Sequence, residues 1–156
     1  MTELRPLRDD EVAGWLEQSR RGYADGIHRH GGIPRAQADA KAVEDYARLI
    51  PDGRVPDGQS IYAIEEQGAV RGHLWVADRD GENGGPRHLF VYEIRLEEAA
   101  RGHGIGRAAM QLAEDVARER GFGRIELNVF GGNDVARGLY RSLGYDEIAV
   151  YMGKDL

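Results

Sequence analysis

The chain has 156 residues, 41% hydrophobic and 31% charged, which suits one packed domain and leaves too little length for two full ones. No apolar run nears the roughly 20 residues of a membrane span, Met1-Thr2-Glu3-Leu4-Arg5-Pro6 lacks the apolar stretch of a secretory signal, and the count of 0 cysteines excludes disulfide scaffolds, thiolate metal sites and cysteine nucleophiles. A formal net charge of −6 opposes nucleic-acid binding, which asks for a basic surplus, so a cytoplasmic protein without nucleic-acid or membrane partners is expected.

The N-terminal third reads as helical. Asp9–Arg21 carries Val12, Trp15, Leu16 and Ser19 at helical spacing behind an Asp9-Asp10 start. The glycine- and histidine-containing stretch 26–32 reads as a loop. Pro34 then opens a second helix through Ala38, Ala42, Tyr46 and Leu49, stopped by Pro51-Asp52-Gly53, and 51–59 is a loop. The period changes next. Residues 60–66 and 70–77 read as strands of a hairpin around Gln67-Gly68, 80–86 as a glycine-rich loop, and 88–96 as a long strand rich in Phe90, Val91, Tyr92 and Ile94. After the link 97–100 and a glycine-dense turn, a helix runs through Ile105, Ala109, Leu112 and Val116, closed by Gly121 and Gly123. A strand over 124–130, a Gly131-Gly132-Asn133 turn, a helix over 134–143 ended by Gly144, and a last strand over 148–153 complete the chain. This order predicts an α/β domain with a mixed sheet.

The 22 glycines, about twice average usage, are densest at Arg101-Gly102-His103-Gly104-Ile105-Gly106. A strand feeding a glycine turn and then a helix suits a phosphate. The glycines let main-chain N–H groups approach an anion, and the helix start adds unpaired donors and partial positive charge. The Walker spelling fails, because Arg107-Ala108 follows Gly106, and the dinucleotide fingerprint fails at Arg107. A turn that serves only to bend the chain is the competing reading.

The spelling Arg101-x-x-Gly104-x-Gly106 resembles the acyl-CoA-binding signature of the GCN5-related N-acetyltransferase (GNAT) family. A second run, Asn133-x-x-Ala136-x-x-Leu139-Tyr140-x-x-Leu143-Gly144-Tyr145, is similar to the way these proteins finish, as is the ending Tyr151-Met152-Gly153-Lys154-Asp155-Leu156. The resemblance covers about residues 60–156. It implies a mostly antiparallel mixed sheet flanked by helices, with a central pair of strands that splay apart, in a single domain over 1–156. Residues 60–156 would form the acetyl-CoA-binding core, and 1–59 the acceptor-side helices and loop.

The resemblance further implies which residues act. Acetyl-CoA, as co-substrate with no metal, would lie along the end of the long strand at Ile94, Arg95 and Leu96, with a Leu96 N–H near the thioester oxygen. Its pyrophosphate would rest on the amides of Arg101, Gly102, His103, Gly104, Ile105, Gly106 and Arg107, with the two arginines free to add charge or to remain solvated. Asn133 would hold the pantetheine amide or cap the following helix. Tyr140 occupies the family's usual proton-donor position, against the alternative of an ordinary core aromatic. Glu93 is the candidate base, because a carboxylate in so apolar a strand is costly to bury; the alternatives are a solvent-facing side chain or a pair with Arg95. His28 and His30, two apart, suit a loop rather than a metal site.

The implied activity is direct transfer of acetyl to a primary amine in a ternary complex, without an acyl-enzyme. The acceptor is a small molecule or a peptide, and acidity favours a cationic one. A homodimer is compatible with the resemblance, and a non-catalytic acyl-CoA-binding or regulatory module is the alternative function.

Overall fold

A computed structural model describes residues 1–156. Five strands form one sheet in the order β1 (Thr2–Pro6), β2 (Gln59–Glu66), β3 (Ala69–Arg79), β4 (His88–Leu96) and β5 (Ile125–Leu127). The first four pair antiparallel, and β4 pairs parallel with β5. The mixed, mostly antiparallel sheet is thus as expected. Helices α1 (Asp9–Gly31), α2 (Arg35–Leu49), α3 (Ile105–Glu119) and α4 (Asp134–Ser142) flank it.

Alternation along the strands sends side chains to two apolar layers. On one face Leu74, Val76, Leu89 and Val91 meet Ile105, Ala109, Met110 and Ala113 of α3. The alanines let helix and sheet approach closely. On the other face Ile61 and Trp75 meet Trp15 of α1 and Tyr46 of α2, with the Trp15 and Trp75 rings edge to face at 5.3 Å.

Two irregularities shape the site. Trp75 pairs with Glu93 but Val76 with Val91, so Tyr92 is an extra residue in β4. This bulge breaks the alternation: Tyr92 and Glu93 in succession face α1 and α2, and Ile94 returns to the α3 side. Secondly, β4 and β5 pair only at Leu89–Ile125, Phe90–Glu126 and Val91–Leu127. Beyond Val91 the two strands part, which is the expected splay.

Several sequence expectations need correction. The first helix does not stop near Arg21; Ala24 and Ile27 are buried and extend its core stripe, so 26–31 is helical and the chain turns only at Gly32, where φ is 67°. Small residues bring this helix close to the cleft: a Cβ on Gly22 would lie 3.2 Å from Arg95 Cδ, and one on Gly31 would lie 3.2 Å from Phe130 Cε1. The chain also begins with a strand, β1. Leu4 opposite Ile64 is its one apolar anchor, and Arg5 ties it to Glu65 and Glu11 at 2.7 and 2.9 Å. The strand expected over 124–130 is only three residues long, because 128–130 turns away with the cleft. The last expected strand, 148–153, does not form. Ile148, Val150, Tyr151 and Met152 are exposed, and a β-prone segment without a paired neighbour has no ladder to join.

Candidate active site

Where β4 and β5 part, a cleft of about 250 Å³ opens, lined by Glu93, Ile94 and Arg95 on one lip and Asn128, Phe130 and Asn133 on the other, with Tyr23 and Tyr46 on the helix side and Tyr140 on α4. The lip formed by β4 is an open strand edge. Glu97 N–H donates to Arg71 O of β3 at 2.8 Å, so by the alternation of an extended strand the Leu96 N–H turns toward the open side.

The bulge at Tyr92 explains why Glu93 is inside. Its Oε2 accepts a hydrogen bond from Ser19 Oγ at 2.6 Å, and Ser19, fully buried, lies 2.7 Å from the Tyr46 hydroxyl. Oε1 is buried without a partner, and Arg95 Nε stands 3.8 Å away. Burial pushes the Glu93 carboxyl up from the ordinary value, against the opposing pull of the Ser19 hydrogen bond and the Arg95 charge. The carboxylate does not face solvent; the pair with Arg95 is present as a longer contact of 3.8 Å beside the short one to Ser19.

Tyr140 approaches from α4, a helix started by Asn133, whose Oδ1 accepts from Ala136 N–H at 3.2 Å. The capping alternative for Asn133 is therefore realised, and the residue also lines the cleft. Burial alone acts on the Tyr140 phenol and pushes it up to about 12. It holds its proton at neutral pH.

Just past β4 lies the glycine turn. Gly102 and Gly104 adopt φ of 77° and 80°, a region other residues avoid, and α3 starts at Ile105. Arg101 N–H bonds Glu98 O at 3.2 Å and Ala108 N–H bonds Gly104 O at 3.0 Å. Between them the N–H groups of 102 to 107 donate to no acceptor in the chain, a row of main-chain donors at a helix start. Arg101 Nε reaches Leu96 O at 3.3 Å and Arg107 donates to Ser142 Oγ at 2.6 Å, both as exposed side chains.

The cleft thus brings together Glu93, Ile94, Arg95, Asn133 and Tyr140, whereas Leu96 and 101–107 continue from the end of its β4 lip. His28, expected in a loop, lies in the last turn of α1 with Nδ1 2.8 Å from Ile33 O. Sequence reasoning missed Ser19, Tyr23 and Tyr46 as site residues. A signal existed for Ser19, a polar residue on the same helical stripe as Trp15; Tyr46 read only as core.

Residues 27–145 match the acetyltransferase (GNAT) family. YdgE of Bacillus subtilis, an uncharacterized N-acetyltransferase, is 31% identical over 159 aligned residues, covering 98% of this chain and 97% of that protein. The crystal structure of YycN, also from Bacillus subtilis, superposes with a TM-score of 0.88 at 25% identity, covering 100% of this chain and 99% of that one. A predicted acetyltransferase from Clostridium acetobutylicum, crystallised with acetyl-CoA, superposes with a TM-score of 0.68 over 99% of this chain and 96% of that one; at 16% identity it speaks for the fold.

Proposed function

The chain belongs to the GNAT acetyltransferase family, and we propose that it moves an acetyl group from acetyl-CoA to a primary amine by direct attack in a ternary complex. The observation that carries this reading is the open edge of β4 running into a turn whose amides, 102 to 107, have no acceptor in the chain. Such an edge suits a pantetheine arm lying as a substitute strand, and such a turn suits a pyrophosphate. Arg101 and Arg107 add positive charge beside it. Leu96 N–H, turned to the open side, suits the thioester oxygen as charge builds there.

Glu93 and Tyr140 divide the proton work. An alkylammonium, with a pKa near that of Lys at about 10, has no lone pair until it gives up a proton. Glu93, raised by burial, takes that proton as general base. The free amine forms its bond to the acetyl carbon, the carbon–sulfur bond breaks, Tyr140 gives its proton to the leaving sulfur, and the surplus proton of the amide nitrogen restores the Tyr140 phenol. Asn133, with Oδ1 held by the cap, offers its NH₂ to the pantetheine. The first 59 residues form the acceptor side: Tyr23 and Tyr46 line the cleft opposite the strand, and aromatic faces beside a carboxylate favour a cationic amine.

A coenzyme A release screen across polyamines, aminoglycoside-like amines and peptides tests the reading. Transfer to at least one class, reduced in Tyr140→Phe and Glu93→Gln, is expected. Tight acetyl-CoA binding with no transfer to any amine would instead identify a non-catalytic acyl-CoA module.

A further inference from the structure

Glu93 lines the cleft, yet one carboxylate oxygen is buried and the other is already hydrogen-bonded. Oε2 is taken by the Ser19 hydroxyl at 2.6 Å, and Oε1 is buried without a partner. Its other neighbours are Arg95 Nε at 3.8 Å on its own strand and the Trp15 indole on α1, also unpartnered; guanidinium and indole N–H groups donate and do not accept. Ser19 is 0% exposed, so it cannot meet a substrate either. Tyr46 of α2 can, because it lines the cleft while its hydroxyl lies 2.7 Å from Ser19 Oγ.

The donor directions follow. The one hydroxyl proton of Ser19 points at the carboxylate, so in the Ser19–Tyr46 contact the tyrosine donates. The chain reads Tyr46 O–H to Ser19 O–H to Glu93, with the lone pairs of the Tyr46 oxygen left as the acceptor at the head of the chain. We propose that Tyr46 and Ser19 relay the substrate proton to Glu93, so that the base reaches the amine through two side-chain hydroxyls. The inference rests on the reading of Glu93 as base.

The step balances. The ammonium N–H gives its proton to Tyr46 oxygen, Tyr46 passes its own to Ser19, and Ser19 passes its own to Glu93. Three O–H bonds form; one N–H and two O–H bonds break. The outcome is a neutral amine, a neutral carboxylic acid and two intact hydroxyls. No tyrosinate or alkoxide accumulates, in keeping with a Tyr46 phenol that burial and the Glu93 charge push up. The groups facing Tyr46 are Ser19 and Tyr23 from α1 and Glu93 and Arg95 from β4; Tyr23 is itself engaged, donating to Asp45 at 2.7 Å.

The test compares pH profiles of kcat for the wild type, Ser19→Ala, Tyr46→Phe, Glu93→Gln and the Ser19→Ala/Glu93→Gln double variant, at saturating acetyl-CoA with the best amine. Relay predicts that each single variant loses kcat by about 10²-fold, within the range of general base catalysis, with the KM for acetyl-CoA unchanged. It also predicts that the double variant falls no further than the worse single one. A wild-type profile in Ser19→Ala and Tyr46→Phe, beside an altered Glu93→Gln, overturns the relay and leaves the base in place. An unaltered Glu93→Gln removes the base, and the relay with it. Infrared titration of the Glu93 carboxyl, assigned by difference from Glu93→Gln, needs no turnover. Its midpoint moves up in Ser19→Ala, because the lost hydrogen bond had favoured the carboxylate; an unmoved midpoint also overturns the relay.

Discussion

Gly72 lies on β3 opposite Leu96, outside the cleft. A Cβ there would stand 2.1 Å from Arg95 O and 2.9 Å from Leu96 Cδ2, where real contacts stay above 3.0 Å. Gly72→Ala must therefore part the two strands by about 0.9 Å at the end of β4, since the obstacle is main chain and cannot rotate aside. Overpacking of this kind costs about 2 kcal/mol, which lowers Tm by about 4–8 °C in a chain of this size. The same displacement carries Leu96 N–H off the line of the thioester oxygen, and a misplacement of about 1 Å can cost about 10²-fold in rate. The assay is coenzyme A release together with a thermal melt. Gly68→Ala serves as the control: Gly68 has φ of 76° in the hairpin turn, so the alanine is strained by about 1–2 kcal/mol but lies outside the cleft. Melting falls in both variants, and turnover falls only in Gly72→Ala. If Gly72→Ala melts early yet keeps full kcat, the position of the Leu96 amide does not matter and the argument fails.

Tyr140→Phe loses kcat by about 10²-fold or more while acetyl-CoA still binds with unchanged affinity by calorimetry, because only the leaving sulfur needs the hydroxyl. Gly104→Ala, at φ of 80°, is strained by about 1–2 kcal/mol and turns the amide row; its KM for acetyl-CoA rises more than its kcat falls. The pH dependence has a fixed sign. Burial raises the folded-state pKa of Glu93, so the folded chain binds more protons than the unfolded one above about pH 4.3, and stability falls as pH rises until the folded value is passed. Glu93→Gln removes that loss: it melts higher than wild type at pH 8, by a margin that narrows toward pH 5, although it is the poorer catalyst. A margin that widens on acidification contradicts the burial argument.

The parts of the site legible from sequence are those written locally. The turn from Arg101 to Gly106 and the cap at Asn133 are short runs in which neighbouring residues set the geometry, as is Gln67-Gly68, whose φ values of 55° and 76° match the expected hairpin. Strand 88–96 had its bounds read correctly for the same reason. The network behind Glu93 is different. Ser19 and Tyr46 are 74 and 47 positions away from it in the chain, and only tertiary packing brings them to it. Strict alternation would have put Glu93 on the same face as Val91, and nothing in Phe90-Val91-Tyr92-Glu93-Ile94 marks the extra residue that turns it around. The first strand and the far half of α1 went unread because one apolar residue anchors the former and three glycines interrupt the latter.

Those glycines give α1 a role beyond its own stability. Lying so near Arg95 at Gly22 and Phe130 at Gly31 that an added Cβ would stand 3.2 Å from each, the helix acts as a caliper with one jaw on each side of the cleft. The aperture can therefore be reset by side-chain volume at two positions more than sixty residues upstream of the glycine turn. Under the proposed acetyl transfer, divergence in acceptor choice then needs no change in the residues assigned to the thioester.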